Sequence, residues 1–126
     1  MPEPFHVLVA EDEPLAAMAI EDFLSRKGYR VTLAVDGVDA MERQSADPAD
    51  IILTDLRMPR MDGKRLIREL RAVNPKLPVV IMTGYLSFGP EDEDLTGDAG
   101  QSLEVLRKPV SPQVILDTLE RLLTKG

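Results

Sequence analysis

The sequence predicts an α/β protein built on a parallel sheet with helices on both faces. Short continuous apolar runs recur at residues 7–10, 51–53 and 78–82, the pattern of strands buried on both sides. A fourth run, 29–35, instead alternates Tyr29, Val31, Leu33 and Val35 with Arg30, Thr32 and Ala34, as a half-exposed strand at a sheet edge does. Segments with helical apolar spacing separate these runs.

Taken in order, the first run is followed by Asp12, Glu13 and Pro14, an acidic start with proline where a first helical turn tolerates it. Ala16, Ile20, Phe23 and Leu24 then share one face, and Gly28 is placed to stop that helix. After the alternating strand, Asp36-Gly37 makes a turn or cap, and Val38, Met41 and Ser45 are expected to line a short second helix ending before Asp47-Pro48. Pro59, Asp62 and Gly63 punctuate a loop after the third strand. Leu66, Ile67, Leu70 and Val73 are expected to form the inner face of a third helix stopped at Asn74-Pro75.

From 86 to 101 glycines and a proline alternate with acids, which predicts a loop with at most a short, irregular helix. Leu103 and Val105 flank Glu104 in a last strand. Ser111-Pro112 then opens a helix with Ile115, Leu119, Leu122 and Leu123 on one face.

At 126 residues the chain is long enough for one domain with a core of its own, and cysteine is absent. A net charge of −7 and a pI near 4.7 argue against nucleic-acid and anionic-membrane surfaces, which call for basic patches. No apolar run approaches the roughly 18 residues of a membrane span, and Met1-Pro2-Glu3-Pro4 lacks a basic leader. A cytoplasmic location is the expectation.

The chemistry gathers at strand ends. Glu11-Asp12 closes the first run and Asp55 the third. If these ends are adjacent, three carboxylates crowd one space, raising one another's proton affinity unless a cation neutralises them; an all-oxygen cluster suits Mg²⁺. Singly, each residue has a plainer reading: adjacent acids open helices, an aspartate caps a loop, and Lys108 before Pro109 or Thr83 before Gly84 would be ordinary at a strand end. His6 reads as structural, and the six methionines as core filler.

The motifs VLVAEDEP, IILTDLRMPRMDG, PVVIMTG and LRKP, in this order along the chain, resemble the receiver domain of bacterial two-component response regulators. The resemblance implies a flavodoxin-like, doubly wound (βα)5 sandwich with strand order 2-1-3-4-5, residues 1–126 forming a single receiver domain. It implies that Asp55 accepts a phosphoryl group from a phosphohistidine on a sensor histidine kinase or histidine phosphotransfer protein. Glu11, Asp12, Asp55 and the backbone carbonyl of Arg57 would hold Mg²⁺, with Mn²⁺ as a substitute. Lys108 would supply a point charge, and Thr83 its hydroxyl, to the phosphoryl oxygens. Pro59 and Gly63 would shape the loop after Asp55, and Gly84 would keep the approach open. Arg57 and Tyr85 fall where the family tunes access of hydrolytic water, and their bulk predicts slow loss of the phosphoryl group.

One position departs from the family. Val105 stands three before Lys108, where a Tyr or Phe is expected, so switching is expected to use the 85–101 loop, with Tyr85 as the aromatic. The last strand and helix, with Arg121 and Lys125, are a second expected output face. No DNA-binding or catalytic segment follows Gly126 in this sequence, so output is expected through a downstream protein target. Single-domain regulator, phosphate shuttle and receiver part of a longer kinase all stay open. A phosphoacceptor of this kind is regulatory, not an enzyme on separate substrates, although it would catalyse its own phosphorylation and dephosphorylation. The alternative is a Mg²⁺-dependent phosphohydrolase with Asp55 as nucleophile; such enzymes want an acid two residues later, where this chain has Arg57.

Overall fold

A computed structural model describes residues 4–84 and 103–124. β1 (His6–Ala10), β2 (Arg30–Ala34), β3 (Ile51–Asp55), β4 (Val79–Thr83) and β5 (Leu103–Arg107) form one parallel sheet in the order β2-β1-β3-β4-β5. The helices among the described residues are α1 (Pro14–Arg26), α2 (Gly37–Ala46), α3 (Gly63–Val73) and α4 (Pro112–Thr124). The expected short or irregular helix after β4, and the switching loop with Tyr85, lie outside the described residues.

Alternation along the inner strands divides the core in two. Val7 and Val9 of β1, Ile51 and Leu53 of β3, and Val80 and Met82 of β4 pack with Leu24 of α1 and Ile115 and Leu119 of α4. Leu8, Ile52 and Ile81 point the other way, against Ala40 of α2 and Leu66, Ile67 and Leu70 of α3. Both faces are covered, which is why these strands read as unbroken apolar runs. The chain winds outward from β1 to β2 and then returns past it to β3. That reversal opens a crevice at the carboxyl ends of β1 and β3, where sheets of this type bind ligands.

Local signals operate as their chemistry predicts. Pro14 begins α1, and Gly28 follows its end with φ of 96°, a conformation glycine adopts without steric cost. Asp36 and Asp62 cap α2 and α3 by accepting the Asp39 and Arg65 amides at 2.8 and 2.9 Å. His6 is buried at the start of β1, its ring nitrogens 2.7 Å from Thr32 Oγ1 and 3.2 Å from the Pro48 carbonyl.

Three sequence expectations need correction. Val35 is 61% exposed, because β2 ends at Ala34 and the chain turns there into the Asp36 cap. Val73 is 84% exposed, since α3 has passed the edge of the core by its last residue. The inner side of α2 carries Gly37, Ala40, Met41 and Gln44, whereas Ser45 faces solvent. Close approach selected small residues there: a Cβ on Gly37 would collide with the backbone carbonyl of Met61. On the side of the last strand and helix, Arg121 of α4 forms an ion pair with Glu104 of β5 at 2.8 Å.

Candidate functional site: an acidic cluster with a lysine

Glu11 follows β1 directly, its amide still donating to the Ala34 carbonyl at 3.0 Å. The residue is 2% exposed, and its Oε2 accepts the Glu13 amide at 3.0 Å. Asp12, next in the chain, is exposed. Asp55 ends β3 and is 9% exposed, with Oδ1 accepting the Arg57 amide at 3.3 Å. Glu11, Asp12 and Asp55 each offer a carboxylate oxygen within 4.8 Å of the others. The crevice between β1 and β3 thus assembles the three acids from two separate stretches of chain.

Lys108 comes from one residue beyond β5. Its amide donates to the Thr83 carbonyl at 2.7 Å, which carries the β4–β5 ladder one step further. Nζ lies 2.9 Å from Asp55 Oδ2 and 3.5 Å from Glu11 Oε1. Burial pushes the Glu11 carboxyl above its ordinary range, against the Glu13 amide and the Lys108 charge, which favour its ionised form. Burial also works against the Lys108 charge, but the hydrogen bond to Asp55 and the negative charges of Glu11 and Asp55 outweigh it, so the ammonium is held above the usual lysine range. A persistent cation therefore faces the Asp55 carboxylate at neutral pH.

Thr83 is buried at the end of β4, beside the strand that carries Asp55. Arg57 is exposed, with its amide directed at Asp55. Gly63 has a clear packing reason: a Cβ there would lie 2.5 Å from the Asp55 carbonyl oxygen and 2.9 Å from Leu56 Cα. Gly84 has none of that kind, as a Cβ would meet nothing within 4 Å. Tyr85 lies outside the described residues. Arg60 escaped sequence reasoning; it forms a two-pronged pair with Asp36, Nε to Oδ2 at 2.7 Å and Nη2 to Oδ1 at 3.0 Å. No motif marks such a pair, because its members are 24 residues apart.

The donor set fits a hard divalent cation. All three acidic side chains offer oxygen, and a positive ion would offset both the crowding of charge and the burial of Glu11. Carboxylates, a lysine and a hydroxyl-bearing threonine at the carboxyl edge of a doubly wound sheet define a phosphoacceptor class of module, in which the acid accepts and the cations neutralise.

Comparison with known proteins agrees. Residues 7–120 match the family model described as response regulator receiver domain, and the chain belongs to that family. Over 108 residues it is 36% identical to the transcriptional regulatory protein ZraR of Klebsiella oxytoca, covering 86% of this chain and 24% of that protein. It is 34% identical to the sensor protein EvgS of Escherichia coli, covering 97% of this chain and 10% of the other. The chain thus spans about a quarter of ZraR and a tenth of EvgS.

Among solved structures, the receiver domain of the sensor histidine kinase PA1611 from Pseudomonas aeruginosa is 32% identical with a TM-score of 0.80, covering 95% of this chain and 98% of that one. That structure is described as having a magnesium ion coordinated in its active-site cleft. The receiver domain of the Francisella response regulator 1452 is 30% identical with a TM-score of 0.82, covering 96% and 98%. The chain is a phosphoacceptor signalling module of the two-component type. Among the described residues, no helix is long and apolar enough to cross a membrane.

Proposed function

We propose that Asp55 is the residue that carries the phosphoryl group, received from a phosphohistidine of a sensor histidine kinase or histidine phosphotransfer protein. The contact that carries this reading is the 2.9 Å ion pair between Asp55 Oδ2 and Lys108 Nζ beside the Glu11–Asp12 pair. An oxygen of the Asp55 carboxylate attacks phosphorus; the P–N bond breaks, its electron pair returns to the imidazole, and an acyl phosphate remains on Asp55. Little covalent chemistry falls to the protein, so positioning and charge neutralisation do most of the work. Lys108 follows the charge from the carboxylate to the phosphoryl oxygens as a point charge on a flexible stem. Thr83 donates its hydroxyl to another oxygen, and Gly84 leaves the approach clear.

Glu11, Asp12, Asp55 and the Arg57 carbonyl would hold Mg²⁺, or Mn²⁺ by the same oxygen chemistry. When bound, the metal supplies positive charge for the phosphoryl oxygens. The donor's histidine must come within bonding distance of Asp55, so the partner meets the rim around it. A cleft of ≈ 520 Å³ there reaches from Glu11 and Lys108 to Ala16, Ile20 and Ile115, and Leu15 and Met18 of α1 are exposed apolar side chains. These suit an apolar helical surface of the donor. Phosphorylation adds charge and acceptor oxygens, which bias binding of a downstream protein target. We place the module in the cytoplasm as a single domain of residues 1–126. A phosphohydrolase reading gains no support, because Arg57 stands where an acid/base carboxylate would be needed.

Intact mass after incubation with acetyl phosphate and Mg²⁺ tests the assignment. Wild type should gain one phosphoryl group and Asp55→Asn none. A gain in the variant equal to wild type would defeat it.

A further inference from the structure

The loop joining β3 to α3 presents a second device beside the site. The Met61 amide donates to the Pro59 carbonyl at 2.8 Å, closing a three-residue turn centred on Arg60, whose φ is 68°. That turn form is rare and strained, and a side chain at positive φ adds to the cost. Something must hold it. The Arg60 guanidinium grips Asp36 through both oxygens, and Asp36 is itself buried, 6% exposed, and committed to capping α2. Gly37 packs against Met61 at the same place, and the Gly63 amide returns to the Leu56 carbonyl at 2.8 Å. The loop is therefore pinned at both ends and, through Arg60, in its middle.

We propose that Arg60 is a positioning residue for the metal: its pair with Asp36 holds the 56–62 loop in the one arrangement that presents the Arg57 carbonyl to Mg²⁺. This rests on the Mg²⁺ site proposed above. It differs in sign from a simple charge effect. Removing a positive charge from the protein would by itself tighten Mg²⁺ binding, whereas releasing the loop weakens it.

Calorimetric titration of the full chain with MgCl2 reads the difference. Arg60→Ala should weaken Mg²⁺ about three- to tenfold, less than the roughly 10–100-fold typical when a direct partner of a metal ligand is removed, because Arg60 acts through the loop. Arg60→Gly should fall between wild type and Arg60→Ala, because glycine takes φ of 68° freely but lacks the grip on Asp36. In phosphorylation by acetyl phosphate, the half-saturating Mg²⁺ should rise by the same factor while the rate at saturating Mg²⁺ stays within about twofold of wild type. Thermal melting confirms that each variant is folded at the titration temperature; if Arg60→Ala is not, Arg60→Gly carries the test. Unchanged or tighter binding in Arg60→Ala overturns the proposal, as does Arg60→Gly indistinguishable from wild type. A wild type that binds Mg²⁺ no better than Asp55→Asn overturns the metal site as well. Loss of binding in Asp55→Asn with none in the Arg60 variants overturns this inference alone.

Discussion

Lys108 does two opposing things at the level of the single residue. Its ammonium neutralises Asp55 and Glu11, and in doing so it competes with any metal for the same oxygens. Lys108→Ala should therefore bind Mg²⁺ more tightly, because one positive charge has left the cluster, yet phosphorylate more slowly, because the phosphoryl oxygens lose a partner. Parallel calorimetry and intact-mass time courses separate the two; weaker Mg²⁺ binding would mean that the lysine orders the acids more than it repels the ion. Five of the proposed site residues were legible as strand-end polar residues, Glu11, Asp12, Asp55, Thr83 and Lys108. What no single residue announces is the 2.9 Å meeting of Asp55 with a lysine 53 positions away.

The elements around the site depend on close backbone contact. Gly63 opens α3 directly against the carbonyl of Asp55, and a methyl group there must displace backbone. Gly63→Ala should cost about 1–3 kcal/mol by overpacking, read from urea unfolding midpoints, whereas Gly84→Ala should stay within about 0.5 kcal/mol. Equal effects at the two glycines would show that the loop yields easily.

The α2 cap offers a pH signature. The Arg60 hydrogen bond, reinforced by the Asp39 amide, holds the Asp36 carboxyl below its ordinary range. A carboxyl depressed in the folded state stabilises above its unfolded pKa, and that contribution fades as pH falls through the folded value. Asp36→Asn keeps the cap but loses the charge. Its stability deficit should be full at neutral pH, begin to shrink below about pH 4, and vanish in stronger acid. A deficit that grows on acidification would contradict the direction. Helix faces explain why the element level was only partly readable: helical spacing favoured Ser45 and Val73 as inward positions, but helix approach chose Gly37 and Ala40 for their size, and α3 outran its core.

For the whole molecule, ligand binding and folding are one equilibrium. A cluster assembled from the ends of β1 and β3 exists only when the sheet does, so an ion that binds it stabilises the fold. Mg²⁺ at about 100 times its dissociation constant should add about 2.7 kcal/mol, seen as a rise in melting temperature that chelation reverses. Asp55→Asn should abolish that rise; an equal rise in the variant would place the ion elsewhere.

Strand positions, the α/β class and the acidic and basic strand ends follow from the sequence alone, because a strand buried on both faces can only be apolar and a strand end at a crevice can be polar. The tertiary structure decided the rest: which faces of α2 and α3 turn inward, the hold of Arg60 on Asp36, and the distances that join Glu11, Asp55 and Lys108. Those depend on how closely backbones approach and on pairs far apart in the chain, and hydropathy measures neither.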